Sequence, residues 1–372
     1  MSEFRRDPEL DRALEKINLE NYLDREGVGY RHSYGTKGLQ LQFDECPFCG
    51  EGGGKTYCNA DTGLGNCFHG SCGAKFNKFS LVRKVSGLSG KALDEHVKAV
   101  AEEMGWMPKK ERPEVLMGDL RLPSGMDELP HNGRELRYLT DRGVTAESCE
   151  WFRLGYCHDK AWWSYKLDDG VEKWVSYKRR VIIPVFGLEG KMVSFQGRDV
   201  TGEQLPKYLF PVGFAVAGKH LYNGNSFVQG THSHAVIGEG AFDCIAIHQA
   251  LRRDPGCRDV LALATFGMHL SSGPDSQLDR LAILHEQGLR TVTFLWDGES
   301  RAVAQAVKSG LQVASLGLQV RIATLPAGYD PAQGPDKRPT PPGLVLDAIF
   351  KAQALTRLSA VRILSAAKSL TL

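Results

Sequence analysis

Residues 235–253 read AVIGEGAFDCIAIHQALRR. The run AVIGEG has the composition of a strand ending in a turn. AFDCIAIHQALRR then reads as a helix with Ile245, Ile247, His248 and Leu251 inward. The alternation continues downstream: DVLALATFG is a strand, LDRLAILHEQG a helix, TVTFLWDGE a strand, RAVAQAVKSGLQVASLG a helix and QVRIATLP a strand. Strands alternating with helices imply parallel βαβ units. In such sheets ligands sit beyond the carboxyl ends of the strands.

Those ends carry acids. Glu239 and Asp243 follow the first strand, Asp297 and Glu299 another, and Asp330 lies in the loop AGYDPAQG after QVRIATLP. Clustered carboxylates repel one another unless a cation neutralises them. All-oxygen ligands with room for water suit Mg²⁺ or Mn²⁺. Such ions bind phosphates, activate a hydroxyl and neutralise a departing pyrophosphate. Each acid also has a plainer reading, as a solvated loop carboxylate or a helix N-terminal acid matching the dipole. Asp243, one turn into its helix, is equally suited to holding the turn together.

Upstream, CPFCGEGGGKTYC (residues 46–58) ends like a phosphate-binding loop. A true one needs glycine five positions before the Gly-Lys pair, and here that position is Cys49. The following TYCNADTGLGN reads as a strand and turn, not a helix. The cysteines give the better account. Cys46 and Cys49 form a knuckle, and Cys67-Phe68-His69-Gly70-Ser71-Cys72 forms an expanded second one. Two knuckles flanking a hairpin make a tetrahedral zinc site. The expected ligands are Cys46, Cys49, Cys67 and Cys72, with His69 as a substitute for Cys67. Cys58, Cys149, Cys157, Cys244 and Cys257 are scattered and read as core thiols. Nine cysteines and no sign of secretion argue against disulfides.

A length of 372 residues accommodates several domains, and 42% hydrophobic with 24% charged residues is ordinary for a globular chain. The start, MSEFRRDPELDRALEK, has no apolar signal core, and no apolar run is long enough to span a membrane. A cytoplasmic location is the expectation. Net charge is only +2, but eight Lys/Arg against three acids fall between Lys173 and Lys219. Such an excess is commonly a solvated face. The pattern predicts helices over 9–25 and 79–105, short strands over 39–80, and a linker around MPKKERPE (107–114). Two helices are expected within 133–152, an antiparallel sheet over 161–200, and a tail helix from Leu344 onward.

Glu239-Gly-Ala-Phe-Asp243 after an apolar strand resembles the EGxxD element of the Toprim domain. Asp297-Gly298-Glu299 resembles its DxD element, and Tyr329-Asp330-Pro331 its later acidic loop. A zinc module followed by Arg180-Val-Ile-Ile-Pro184, Phe195-Gln-Gly-Arg198, Pro206-Lys-Tyr-Leu209 and Lys219-His-Leu-Tyr222 resembles the DnaG-type primase family over residues 10–335. EGxxD alone is a weak motif; the order of elements is specific. The compactness and WDGE are similar to phage or mobile-element versions.

The resemblance implies a multi-domain α/β chain. A zinc-ribbon domain would occupy 1–105, a linker 106–130, a mixed α+β basic subdomain 131–230, a Toprim sheet 231–335 and a helical tail 336–372. It implies an RNA polymerase that primes single-stranded DNA from NTPs beside a separate replicative helicase. Glu239, Asp297, Glu299 and Asp330 would be catalytic, with Mg²⁺ or Mn²⁺ on Glu239, Asp297 and Glu299. Arg180, Arg198, Lys207, Tyr208 and Lys219 would bind nucleic acid or NTP. There are departures. Glu299 stands where the family usually has Asp, Ala302 where it has Gly, no helicase domain follows, and the tail is too short for a large helicase-binding domain. A Toprim nuclease and a non-catalytic zinc-and-basic adaptor are the alternatives; Mg²⁺-dependent NTP incorporation separates them.

Overall fold

The computed structural model describes residues 8–35, 38–104, 115–116, 120–214, 216–268 and 270–369. The chain forms two compact units, one of residues 1–117 with 165–173, the other of 118–164 with 174–372.

The first unit begins with α1 (Pro8–Lys16) and α2 (Leu19–Arg25). One helix was expected over 9–25; it breaks because Asn18 caps α2, its side chain accepting the Asn21 N–H at 3.0 Å. A five-stranded sheet follows in sequential order: β1 (Tyr30–Gly35), β2 (Gly38–Glu45), β3 (Gly52–Asn59), β4 (Gly65–Cys67) and β5 (Lys75–Phe76), each pair antiparallel. Lys55 lies within β3, and Gly53 and Gly54 take φ of 93° and 65°. The glycines therefore bend a strand start, and no helix follows to cradle a phosphate. Next come α3 (Lys78–Ser86) and α4 (Lys91–Met104). The single helix expected over 79–105 is split by Gly87, a left-handed C-cap at φ 69°. Leu41, Tyr22, Leu81 and Val97 meet in the core between sheet and helices. β6 (Val115–Leu116) pairs with Lys166 and Leu167. The expected linker at 107–114 lies outside the described residues.

The second unit opens with β7 (Ser124–Glu128), α5 (Arg137–Thr140) and α6 (Ala146–Trp151). β8 (Gly155–Leu167) and β9 (Glu172–Ser176) form a hairpin. β10 (Arg180–Phe186), β11 (Met192–Asp199) and β12 (Tyr208–Leu209) extend the antiparallel sheet expected there.

The parallel sheet comes last, as the alternating pattern implies. β13 (His234–Gly238), α7 (Ala241–Leu251), β14 (Val260–Ala264), α8 (Gln277–Glu286), β15 (Thr291–Phe294), α9 (Ser300–Ala314) and β16 (Gln319–Ile322) follow in chain order. Strand order is β14-β13-β15-β16. The chain leaves β13 for β14 on one side and returns to β15 on the other. That reversal is a topological switch point, and it opens a crevice at the carboxyl ends. Both faces are covered. Val236 packs into a core with Ile245 and Ile247 of α7, whereas Ala235 and Ile237 pack into another with Leu281 of α8 and Val303 of α9.

The tail was expected as one helix. It forms α10 (Pro342–Phe350), the short edge strand β17 (Gln353–Ala354) and α11 (Arg357–Ser369). Arg321 on β16 is the cause: its guanidinium donates to the carbonyls of Phe350 at 3.2 Å and Ala352 at 2.8 Å, and β17 pairs antiparallel with its strand. Among the described residues, no helix is long and apolar enough to cross a membrane.

His234, at the head of β13, bonds Thr293 Oγ1 at 2.8 Å. Burial, with the Arg321 charge second, holds its pKa down to about 4 from an ordinary 6.5. The unfolded chain therefore takes up a proton that the folded chain refuses, and stability is lost as pH falls from 6.5 towards 4. His234→Gln keeps a partner for Thr293 and removes the titration. The thermal midpoint of the variant is expected to fall less steeply across that window; identical slopes would refute the assignment.

Candidate active site and zinc centre

A cavity of about 350 Å³ opens at the carboxyl edge of the parallel sheet. Glu239, Asp243, Asp297 and Asp330 line one part, and Arg142, Arg198 and Lys207 another. Tyr208, Gln196 and Phe266 complete the wall.

Local geometry fixes each acid. Glu239 directly follows β13, and its carbonyl accepts the Gly267 N–H from the loop after β14 at 2.9 Å. Asp243 turns back to accept the Gly240 N–H at 2.8 Å, capping α7. Asp297 leaves β15, and the next residue, Gly298, donates to the Tyr329 carbonyl at 2.9 Å. A Cβ at Gly298 would drive into the carbonyl oxygens of Pro326 and Leu325, so only glycine allows the two loops to touch. That contact brings Asp330 beside Asp297. Asp330 Oδ1 accepts the Ala332 N–H at 2.8 Å and the Gln333 N–H.

The acids perturb one another. Burial and the Asp330 and Glu299 charges raise Glu239 above the ordinary carboxylate range. Burial and the charges of Glu239, Asp330 and Glu299 push Asp297 up to about 7. Asp243 is raised well above its usual value by burial and by Asp330. Asp330 is raised by burial, against the pull of the Gln333 and Ala332 N–H groups, Arg142 and Lys207. On the opposite wall burial, Arg198 and Arg142 lower Lys207. This is the signature of charges assembled for a ligand.

The structure brings together Glu239, Asp297, Asp330, Arg198, Lys207 and Tyr208 from the sequence expectations. Three others lie elsewhere. Glu299 is exposed at the N-cap of α9 and is not part of the lining. Arg180 is 2% exposed and outside the cavity lining; its Nη1 donates to the carbonyls of Gly197 and Lys207. Lys219 is exposed and outside the cavity. Arg142 escaped the sequence reading, which expects only two helices within 133–152. Its guanidinium lies 4.8 Å from the Tyr138 ring centroid and 5.4 Å from that of Phe242, inside the EGxxD element. A basic residue in a turn carries no signal of the partner it folds onto.

Among the described residues, the one group of three or more ligand atoms within 4.8 Å of one another is Cys46, Cys49, Cys67 and His69. The cavity carboxylates do not form such a group. The Cys/His group is a zinc-binding site by its donor chemistry. His69 Nε2 bonds the Gly52 carbonyl at 2.8 Å, which assigns the proton there and turns the Nδ1 lone pair toward the sulfurs. Nδ1 is 3.2 Å from Cys67 Sγ and 3.7 Å from Cys49 Sγ. Burial opposes a thiolate at Cys67, yet the Thr56 hydroxyl and the His69 backbone N–H bring its pKa down to about 6. That hydroxyl is buried and has no oxygen or nitrogen partner. A soft divalent cation therefore fits the site.

The group shares Cys46, Cys49 and Cys67 with the expected ligand set. His69 joins Cys67 instead of replacing it, and Cys72 falls outside the four-atom group, although its thiol neighbours Cys67 and Cys49. The expanded knuckle is the reason: Cys72 and Gly73 N–H both bond the His69 carbonyl, a turn that projects the imidazole inward. His69→Ala is expected to lower bound zinc well below one per chain after gel filtration, whereas Cys72→Ser retains it. Zinc analysis by mass spectrometry checks both; loss in the Cys72 variant alone would restore the all-cysteine set.

No family model matches the chain. Curated relatives do. The DNA primase of Clostridium acetobutylicum is 26% identical over 319 residues, covering 77% of this chain and 50% of that protein. The DNA primase of Deinococcus radiodurans is 28% identical over 320 residues, covering 77% and 52%. The chain spans about half the length of the curated relatives it matches. Among solved structures, the zinc-binding and RNA polymerase domains of the Aquifex aeolicus primase overlay with a TM-score of 0.46 at 18% identity, covering 94% of this chain and 87% of that one. A DnaG primase catalytic domain bound to ssDNA gives 0.46 at 19% identity, covering 63% and 83%. Across about three quarters of its length, this chain is similar to curated bacterial DNA primases.

Proposed function

We propose that the chain carries the zinc-binding and polymerising parts of a DNA primase, making short RNA primers on single-stranded DNA with release of pyrophosphate. The observation that carries this reading is the cavity, where four carboxylates face three cations at the switch point of a parallel sheet. In this reading residues 1–105 are the zinc-binding domain, 106–130 a linker, 131–230 the basic subdomain, 231–335 the Toprim domain and 336–372 the tail. The protein is phage- or mobile-element encoded, acts in the cytoplasm and works with a separate replicative helicase.

Magnesium or manganese, when bound at Glu239, Asp297 and Glu299, supplies charge neutralisation for the triphosphate and activation of the attacking hydroxyl. Zinc at the cysteine–histidine site holds the ribbon together. The remaining steps belong to the side chains. Glu239 stands nearest the attacking 3′-hydroxyl, where a pKa raised by burial and by Asp330 makes it a better proton acceptor than an ordinary carboxylate. Arg142, Arg198 and Lys207 grip the phosphates from the facing wall, where charge-assisted hydrogen bonds are strong. Tyr208, whose ring lies 4.6 Å beneath the Arg198 guanidinium, offers a face to a base. Asp243 keeps Glu239 in place by capping its turn, and Asp330 positions Asp297. Lys219, exposed, serves the template backbone, and Arg180 holds the strand from which Arg198 projects.

Primer synthesis tests this directly, with purified chain, single-stranded templates of varied sequence, labelled NTPs and Mg²⁺ or Mn²⁺. Glu239→Gln is expected to reduce short RNA products at least about 100-fold. Wild-type rates in that variant would sink the reading, and cleavage of the template in place of synthesis would favour a nuclease. Arg142→Ala is expected to raise the KM for NTP about tenfold, the loss of one charge-assisted contact. An unchanged KM would remove Arg142 from the phosphate-binding wall.

A further inference from the structure

The β8–β9 hairpin holds two tryptophans out in solvent. Trp162 is 46% exposed and Trp174 60%. Strand alternation sets the first: Ala161 and Trp163, on either side of Trp162, are buried. The Tyr177 N–H donates to the Ala161 carbonyl at 3.0 Å, which fixes the register of the hairpin. Counting from that pair in opposite directions places Trp162 across from Ser176, and Trp174 across from Ser164. Both indoles therefore stand on one face at diagonal positions, roughly 7–8 Å apart. Lys160 lies two residues before Trp162 on the same face of β8, and Lys178 just beyond the end of β9; both are exposed.

Two large aromatic rings on one exposed sheet face call for a partner. Neither indole packs against another ring among the described residues, although the neighbouring Trp163 lies edge-on to Phe195 and Phe214. Neither lines the catalytic cavity. The company they keep identifies the partner. Lysines beside stacking rings on a sheet surface match a chain that alternates flat bases with phosphates. An apolar protein helix would leave the lysine heads without acceptors.

We propose that Trp162 and Trp174 form a stacking platform for successive bases of single-stranded nucleic acid, with Lys160 and Lys178 on its phosphates. This rests on the primase reading, because the template is the strand it would hold. The platform discriminates little between bases, since every base offers a π-face, and it tracks a strand without reading it.

The test uses the full chain and a fluorescein-labelled oligothymidine, with binding followed by anisotropy across a salt series. Trp162→Ala with Trp174→Ala is expected to weaken binding about 100-fold, on the order of tenfold per ring. Trp162→Phe with Trp174→Phe, which keeps a stacking face, is expected to restore most of the affinity and guards against a folding defect. Lys160→Gln with Lys178→Gln is expected to reduce the slope of log affinity against log salt by about 1.4. Wild-type affinity in the double alanine variant overturns the platform and leaves the primase reading standing. A wild-type chain that neither binds the oligonucleotide nor makes primers overturns both.

Discussion

Glu239, Asp243, Asp297 and Asp330 repel one another inside a single cavity, and that repulsion constrains everything around it. Burial raises the pKa of all four, and neighbouring carboxylates add to it at Glu239, Asp243 and Asp297. The facing wall has the mirror problem, because Arg142, Arg198 and burial depress Lys207. Each wall relieves the other only in part, since a cavity of about 350 Å³ keeps them apart. What fits between them is a ligand that is anionic toward the basic wall and carries cations toward the acidic one. A nucleoside triphosphate with divalent ions has that polarity.

A scaffold that holds such charges together must be stiff elsewhere. The parallel sheet is packed on both faces, with Ala235 and Ile237 on one side and Val236 on the other all fully buried. The loops at its edge are tied by backbone bonds and not by the acids themselves: Gly267 to Glu239, and Gly298 to Tyr329. Two acids are exceptions: Asp330 accepts the Ala332 and Gln333 N–H groups of its own loop, and Asp243 acts within EGAFD. Its carboxylate is committed to the Gly240 N–H, so within EGAFD the two acids divide the labour, one holding the turn and one left open.

Much of this was legible in the sequence. Strand–helix alternation from residue 234 gave the parallel sheet, and the acids at strand ends gave the edge that matters. Local signals also explain what was not legible. Helix continuity across Asn18 and Gly87 looked unbroken by apolar periodicity, while capping geometry decided otherwise. The tail read as one helix because nothing nearby announces that Arg321, distant in sequence, captures its carbonyls. Arg180 and Arg198 look alike as basic strand residues, and both donate to strand carbonyls, yet of the two Arg198 alone lines the cavity. Arg142 and His69 owe their positions to turns that bring them to distant partners, and such turns carry no chemical label.

Glu299 poses the last question of geometry. It is exposed at the N-cap of α9 and makes no side-chain cap bond, and its charge still reaches Glu239 and Asp297. An aspartate at an N-cap commonly turns back onto its own helix, as Asp, Asn and Ser do. Glutamate has one methylene too many for that closure, which leaves its carboxylate uncommitted outside the cavity lining. In the proposed reading the longer residue is the acid able to extend toward a cation beside Asp297. A shorter acid at this position would reach such a cation only if the α9 start moved inward, and Gly298, pinned between the Tyr329 bond and the Pro326 and Leu325 carbonyls, prevents that movement.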